Sequence, residues 1–184
     1  PAEAASTYVD AEKDVPTPQE ALSGARDIIA EWVAEDVRAR ERMRHLYAER
    51  STVRSRLAAG KETAGAKYRD YFEWEEPAAA APSHRILAMR RGEREDVLNL
   101  SVGPPEEEAL TLLEALFVQG DGEDSGEVRL AVHDGYKRLL SRAMETEIRL
   151  ALKDRADAEA IRVFAGNLRE LMMTPPLGAK RVLA

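Results

Sequence analysis

From about Val128 to Met173 the chain places apolar residues at helical spacing with little interruption. Val132, Tyr136, Leu139, Leu140, Ala143, Ile148 and Leu152 mark a first piece, and Ala160, Ile161, Phe164, Ala165, Leu168 and Leu171 a second. Residues three and four apart share one face of a helix. A run of this kind needs other helices to cover it, so it commits the chain to a mainly α fold. "TPPLG" then stops it.

The remainder supplies the covering helices. In "TPQEALSGARDIIAEWV" Thr17 can cap, Pro18 takes the first helical position and Glu20 completes a capping box. Ala25, Ile28, Ile29, Trp32 and Val33 form one apolar face. A second helix spans roughly 36–50, with Ala39, Met43, Leu46 and Tyr47 inward. "PPEEEALTLLEALFV", 104–118, carries its acids in the first turn, where the helix dipole favours them. Ser83 starts a further helix through "HRILAMRRGERE". Two stretches, 53–57 and 97–102, alternate as strands do, so the reading allows at most one small two-stranded sheet. Residues 1–16 read as an extended lead-in, "EEPAAAAPS" as a connector, 119–127 as an acidic flexible loop and 174–184 as an exit linker.

With 184 residues the chain suits one unit able to bury a core. No apolar run approaches 18 residues, so no membrane span is expected, and "PAEAASTYVDAEKD" lacks the pattern of a signal peptide. The absence of cysteine excludes disulfides, a thiol nucleophile and cysteine-based metal sites, and fits a cytoplasmic protein. His45, His84 and His133 lie far apart and form no ligand motif, and "QGDGEDSGE" lacks the spacing of a calcium loop. No metal and no cofactor is expected.

No catalytic motif is present. Asp70, Glu73, Glu75 and Glu76 are close in sequence and could pair for acid–base work, but acids around an aromatic anchor are the commoner arrangement. His84 at a helix start could be a base; a structural histidine is the commoner outcome. The chain is therefore expected not to be an enzyme.

The net charge of −7 argues against a globally basic nucleic-acid binder, yet residues 37–61 carry +6 and the rest −13. On a helix Arg38 and Arg42 share one side and Arg40 and Arg44 lie roughly opposite, so they ring it. That suits a solvated helix whose arginine stems cover apolar neighbours. A phosphate-facing patch using Arg50, Arg54 and Arg56 is the alternative.

"GAKYRDYFEWEEPAAAAPSHRILAMRRGERE", 65–95, sets Tyr68, Tyr71, Phe72 and Trp74 beside Arg85, Arg90, Arg91 and Arg94. Such a block is either a nucleic-acid surface or a buried anchor with a solvated rim. Together with "EKDVPTPQEALSGARDIIAE" and "ADAEAIRVFAGNLRELMMTPPLGAKRVLA", it resembles the Tex family of bacterial transcription accessory proteins, in the expected order over most of the chain. The weakest stretch is 104–131. The resemblance implies a fragment, 1–184, of the helical N-terminal region, with helix-turn-helix-like character. It implies that "KRVLA" opens an RNase-H-like (YqgF-type) domain, followed by helix-hairpin-helix elements and an OB-fold RNA-binding domain. Nucleic-acid binding would then lie mainly outside this chain, which would be a monomeric, non-catalytic scaffold. Its partners would be neighbouring domains, the transcription machinery and RNA or DNA in the context of the longer protein. Under this reading Tyr68, Tyr71, Phe72 and Trp74 are the anchor. Weak, sequence-independent contact with nucleic acid through Arg50, Arg54, Arg56, Arg85, Arg90 and Arg91 is the competing expectation.

Overall fold

In the computed structural model, which describes residues 1–10, 13, 15–175 and 178, helices dominate. In chain order they are α1 (Ala2–Ala5), α2 (Pro18–Glu35), α3 (Val37–Arg50), α4 (Ser83–Arg94), α5 (Glu106–Phe117), α6 (Glu123–Gly135) and α7 (Ser141–Met173). The strands are β1 (Thr52–Leu57), β2 (Glu73–Pro77) and β3 (Leu98–Gly103). A π-helical turn, Tyr136–Leu140, joins α6 to α7.

The helix starts follow from local chemistry. Thr17 Oγ1 accepts the Glu20 amide at 3.3 Å and donates to Glu20 Oε2 at 2.8 Å. Asp36 alone separates α2 from α3, and its Oδ1 accepts the Ala39 amide at 2.9 Å. That bond, first among several, holds the Asp36 carboxyl below its usual range.

The sheet has three strands in the order β2-β1-β3, all antiparallel. The expected two-stranded sheet is thus too small. Glu73–Pro77 adds the third strand, pairing Ser55 with Trp74 and Val53 with Glu76. Its alternation is real, with Trp74 and Glu76 half-buried and Glu73, Glu75 and Pro77 exposed. Acids on both faces and a closing proline hide it from a hydrophobicity reading.

Three further expectations are corrected. Residues 2–8 are helical, not extended. The acidic stretch 119–127 does not stay a loop, because α6 begins at Glu123 and sets Glu123 and Asp124 in its first turn, where acids complement the helix dipole. Ala25, Ile28 and Trp32 do not share the buried face of Val33; Trp32 is 68% exposed. The segment 180–184, expected to open a following domain, lies outside the described residues.

Most of the core joins α2, α3, α5, α6 and α7 through Val33, Ala39, Met43, Tyr47, Leu113, Val132, Leu140 and Met144. α2 and α6 cross where Gly135 meets the Ala30 backbone. A second cluster covers the sheet, bringing Val53 and Val102 against Ile86 and Met89 of α4 and Leu152 and Ala156 of α7. Arg155 of α7 donates to three carbonyls of the Ala/Pro connector, Ala78, Ala79 and Ala81, at 3.0–3.1 Å. The Ser83 hydroxyl, beside it, bonds Glu159. Beyond Glu159, α7 leaves the body. Ile161 (68%) and Phe164 (67%) are exposed, as are Leu168 and Leu171, so the second apolar piece has no cover among the described residues.

Candidate nucleic-acid interface

β1 sends Arg54 and Arg56 toward β2, and both approach Glu75, at 3.3 and 4.0 Å. Arg56 also donates to the carbonyls of Ser55 and Trp74. Arg50, in the last turn of α3, makes a two-pronged bond to Glu108 of α5, at 3.1 and 2.9 Å. That pairing raises the arginine and lowers the carboxyl. Arg40 and Arg44, one turn apart, converge on Glu147 of α7 at 2.8 and 2.6 Å. Arg44, foremost, holds Glu147 below the ordinary carboxylate range. Of the arginines that ring α3, Arg40 and Arg44 thus cross-link it to α7, while Arg38 approaches the neighbouring Asp36 at 3.5 Å.

In the second basic segment Arg85 pairs with Glu76 at 3.0 Å and lies over the Trp74 ring, 5.0 Å from its centroid. Arg91 approaches Glu95 at 3.4 Å. Arg90 differs: its side chain donates to the Arg149 carbonyl at 3.2 Å, and among the described residues no carboxylate lies within ion-pair distance of it. Among the described residues, five of the six arginines named from sequence, Arg50, Arg54, Arg56, Arg85 and Arg91, have an acid at ion-pair distance and Arg90 does not.

The four rings sit at different depths. Tyr68 is 5% exposed among Val97 and Leu98, while Tyr71, Phe72 and Trp74 are half-buried. Tyr71 and Trp74 meet edge to face with centroids 6.2 Å apart. All four rest partly on apolar neighbours, and none stands free of the body as a base-stacking platform does.

The acids weighed for catalysis do not converge. Glu75 and Glu76 are held by arginines, while Asp70 and Glu73 are exposed. His84 is exposed, His45 pairs with Glu49 on its own helix, and His133 bonds Glu114 at 2.5 Å. That contact is the main reason the Glu114 carboxyl is lowered. Among the described residues no group of acids and histidines is arranged to hold a metal, and no helix is long and apolar enough to cross a membrane.

The side chains of α7 that hold the body together could not be found from sequence. Glu145, Glu147, Arg149 and Arg155 read locally as an exposed charged face. Their partners lie far along the chain, 107 residues away for Arg40 and Glu147.

Fold and surface together define a class: a mainly helical domain on one small antiparallel sheet, cross-linked by arginine–carboxylate pairs. Comparison with known proteins makes this specific. The Tex central region-like family model matches residues 1–164. The chain is 39% identical to the protein YdcI of Bacillus subtilis over 97% of its own length, and 36% identical to the protein tex of Bordetella pertussis over all of it. It is also 36% identical to the transcriptional accessory protein Tex of Neisseria gonorrhoeae over 95% of its length. The chain belongs to the Tex family. It spans about a quarter of the length of these relatives.

Proposed function

We propose that this chain is a non-catalytic helical scaffold and interaction module of a cytoplasmic transcription accessory protein that binds nucleic acid mainly through other domains. The observation that carries this reading is the pairing of the basic segment. A cation already neutralised by a nearby carboxylate offers little to phosphate and releases few counterions on binding. Arg50, Arg54, Arg56, Arg85 and Arg91 are all so placed. The N. gonorrhoeae and B. pertussis relatives carry the transcription-accessory or Tex name, and a relative from Pongo abelii, 26% identical, is named for an S1 RNA-binding domain. Both names support a role beside transcription and RNA. The helix-turn-helix-like pairing in this reading is that of α2 and α3, joined through Asp36. The anchor of Tyr68, Tyr71, Phe72 and Trp74 fixes the connector to the body. The described surface offers long helices and the open apolar end of α7 to neighbouring domains.

The test is a titration of this chain and of the full-length protein against the same single- and double-stranded nucleic acids. The full-length protein is expected to bind at least about tenfold more tightly, with the chain alone at or above the ~10⁻⁶–10⁻⁴ M of non-specific contact. Equal affinities would overturn the reading. Neither protein preparation should show cleavage that depends on Asp70 or Glu73 of this chain. Metal-dependent cleavage lost on mutating that pair would make the chain an enzyme.

A further inference from the structure

Most of the described cations are paired, so those that are not stand out where two share one depression. An open groove of about 590 Å³ runs beside the outer edge of β3, between α4 and α7. Arg90 enters it from α4, Leu100 and Ser101 from β3, and Arg142 and Arg149 from α7. Arg149 is already committed, to Glu93 at 2.5 Å and to the Leu100 carbonyl at 3.0 Å. Glu145, also in the groove, lies 3.6 Å from Arg149 and accepts the Val102 amide at 2.9 Å. Arg90 and Arg142 remain. Among the described residues neither has a carboxylate at ion-pair distance, and Arg142 and Ser101 are exposed with no side-chain bond.

We propose that this groove binds the phosphates of a nucleic-acid strand, with Arg90 and Arg142 as the contacting cations. Guanidinium forks match phosphate oxygens in shape and keep their charge at every working pH. The Ser101 hydroxyl can donate alongside them. A peptide is the poorer fit. An extended segment gains affinity at a sheet edge through main-chain bonds, and here the Val102 amide and Leu100 carbonyl are already taken by Glu145 and Arg149. A phosphodiester strand needs no such ladder. The groove holds no aromatic ring for bases, so binding is sequence-indifferent. Glu145 and the acidic chain as a whole keep it weak. This goes beyond the scaffold reading, which concerns where tight binding lies, and each can fail alone.

The probe is a fluorescein-labelled single-stranded oligonucleotide of mixed sequence, titrated with the 184-residue chain at low and moderate salt. Arg142→Glu should weaken binding about fivefold or more and flatten the logarithmic salt slope by about 1–2. Arg142→Gln should weaken it in the same direction, and Arg142→Lys should stay within about twofold of the parent because it keeps the charge. Arg54→Gln, which alters a paired arginine, should change little. Circular dichroism should be the same for all, since the Arg142 side chain is exposed and makes no bond among the described residues. The proposal is overturned if the parent chain shows no binding at about 1 mM, if Arg142→Gln and Arg142→Glu bind as the parent does, or if Arg54→Gln weakens binding equally. It is also overturned if a polyglutamate peptide binds as tightly with the same dependence on Arg142, which would make the site a general acid-binding groove.

Discussion

At Gly135 the α6 backbone comes so close to α2 that a Cβ would sit 2.8 Å from the Ala30 carbonyl oxygen and 3.0 Å from its Cα. Both obstacles are backbone, so no side-chain rotation relieves them and the helices must part. Gly135→Val should destabilise the chain by about 1–3 kcal/mol. Gly24→Ala, where nothing lies within 4 Å, should be neutral or stabilising. Thermal unfolding of both variants decides this, and equal midpoints would disprove the tight crossing. Tyr68→Ala should cost about 3–5 kcal/mol, as deletion of a buried ring does, and Trp74→Ala should cost less because its ring is half-buried beneath Arg85. Denaturant titration would contradict this if Trp74 proved the costlier deletion. The ring cluster was visible in the sequence; its ranking was not. Depth is set by Val97 and Leu98, which return from beyond α4 to cover Tyr68, and no local pattern encodes that return.

Among the elements, β3 shows how a sheet edge is closed without another strand. The Val102 amide and Leu100 carbonyl are satisfied by side chains of α7, which blunts an edge otherwise open to pairing. Glu145→Ala should speed hydrogen exchange of the Val102 amide by at least about tenfold while helix content holds. Unchanged exchange would mean that Glu145 does not protect the edge. α7 itself divides into a packed part and a bare part. Truncation after Ala160 should lower helical signal yet shift stability by no more than about 0.5 kcal/mol, because exposed positions contribute little and Ile161, Phe164, Leu168 and Leu171 are all exposed. A large loss would show that the bare turns support the body. Periodicity found the helical run from about 128 to 173, since it is a property of one segment. Its two pieces meet inside α7, however, which is continuous from Ser141 to Met173, and the join lies instead at the π-helical turn Tyr136–Leu140. Periodicity could not say which turns find a partner, because that depends on what stands opposite. The same limit explains Ile28 and Trp32.

For the molecule as a whole, charge sets the pH range of the fold. Glu95, Glu108, Glu114 and Glu147 are lowered first by Lys67, Arg50, His133 and Arg44, and Asp36 by the Ala39 amide. A carboxyl lowered in the fold stabilises above its unfolded value, near 4, and that stability is lost as pH falls through the lower folded value. Tyr47 and Tyr136 are raised, chiefly by burial. Their contribution is complete below about pH 10 and is lost above it, where only the unfolded chain ionises freely. The melting temperature should therefore be nearly flat from about pH 5 to 9 and fall on both sides. A midpoint that rises on acidification from pH 5 to 3 would contradict the acid limb.

The three-carbonyl grip of Arg155 has a mechanical consequence. A flexible Ala/Pro segment would ordinarily uncouple the strand before it from the helix after it. With one guanidinium bridging Ala78, Ala79 and Ala81, and Glu159 bonded to Ser83, the start of α4 is riveted to the middle of α7. Beyond that rivet α7 extends free, so it acts as a lever with its fulcrum at Arg155. A domain that grips the far arm would turn α4 and the sheet with it, and Arg155→Ala would let the lever swing while the body stayed still.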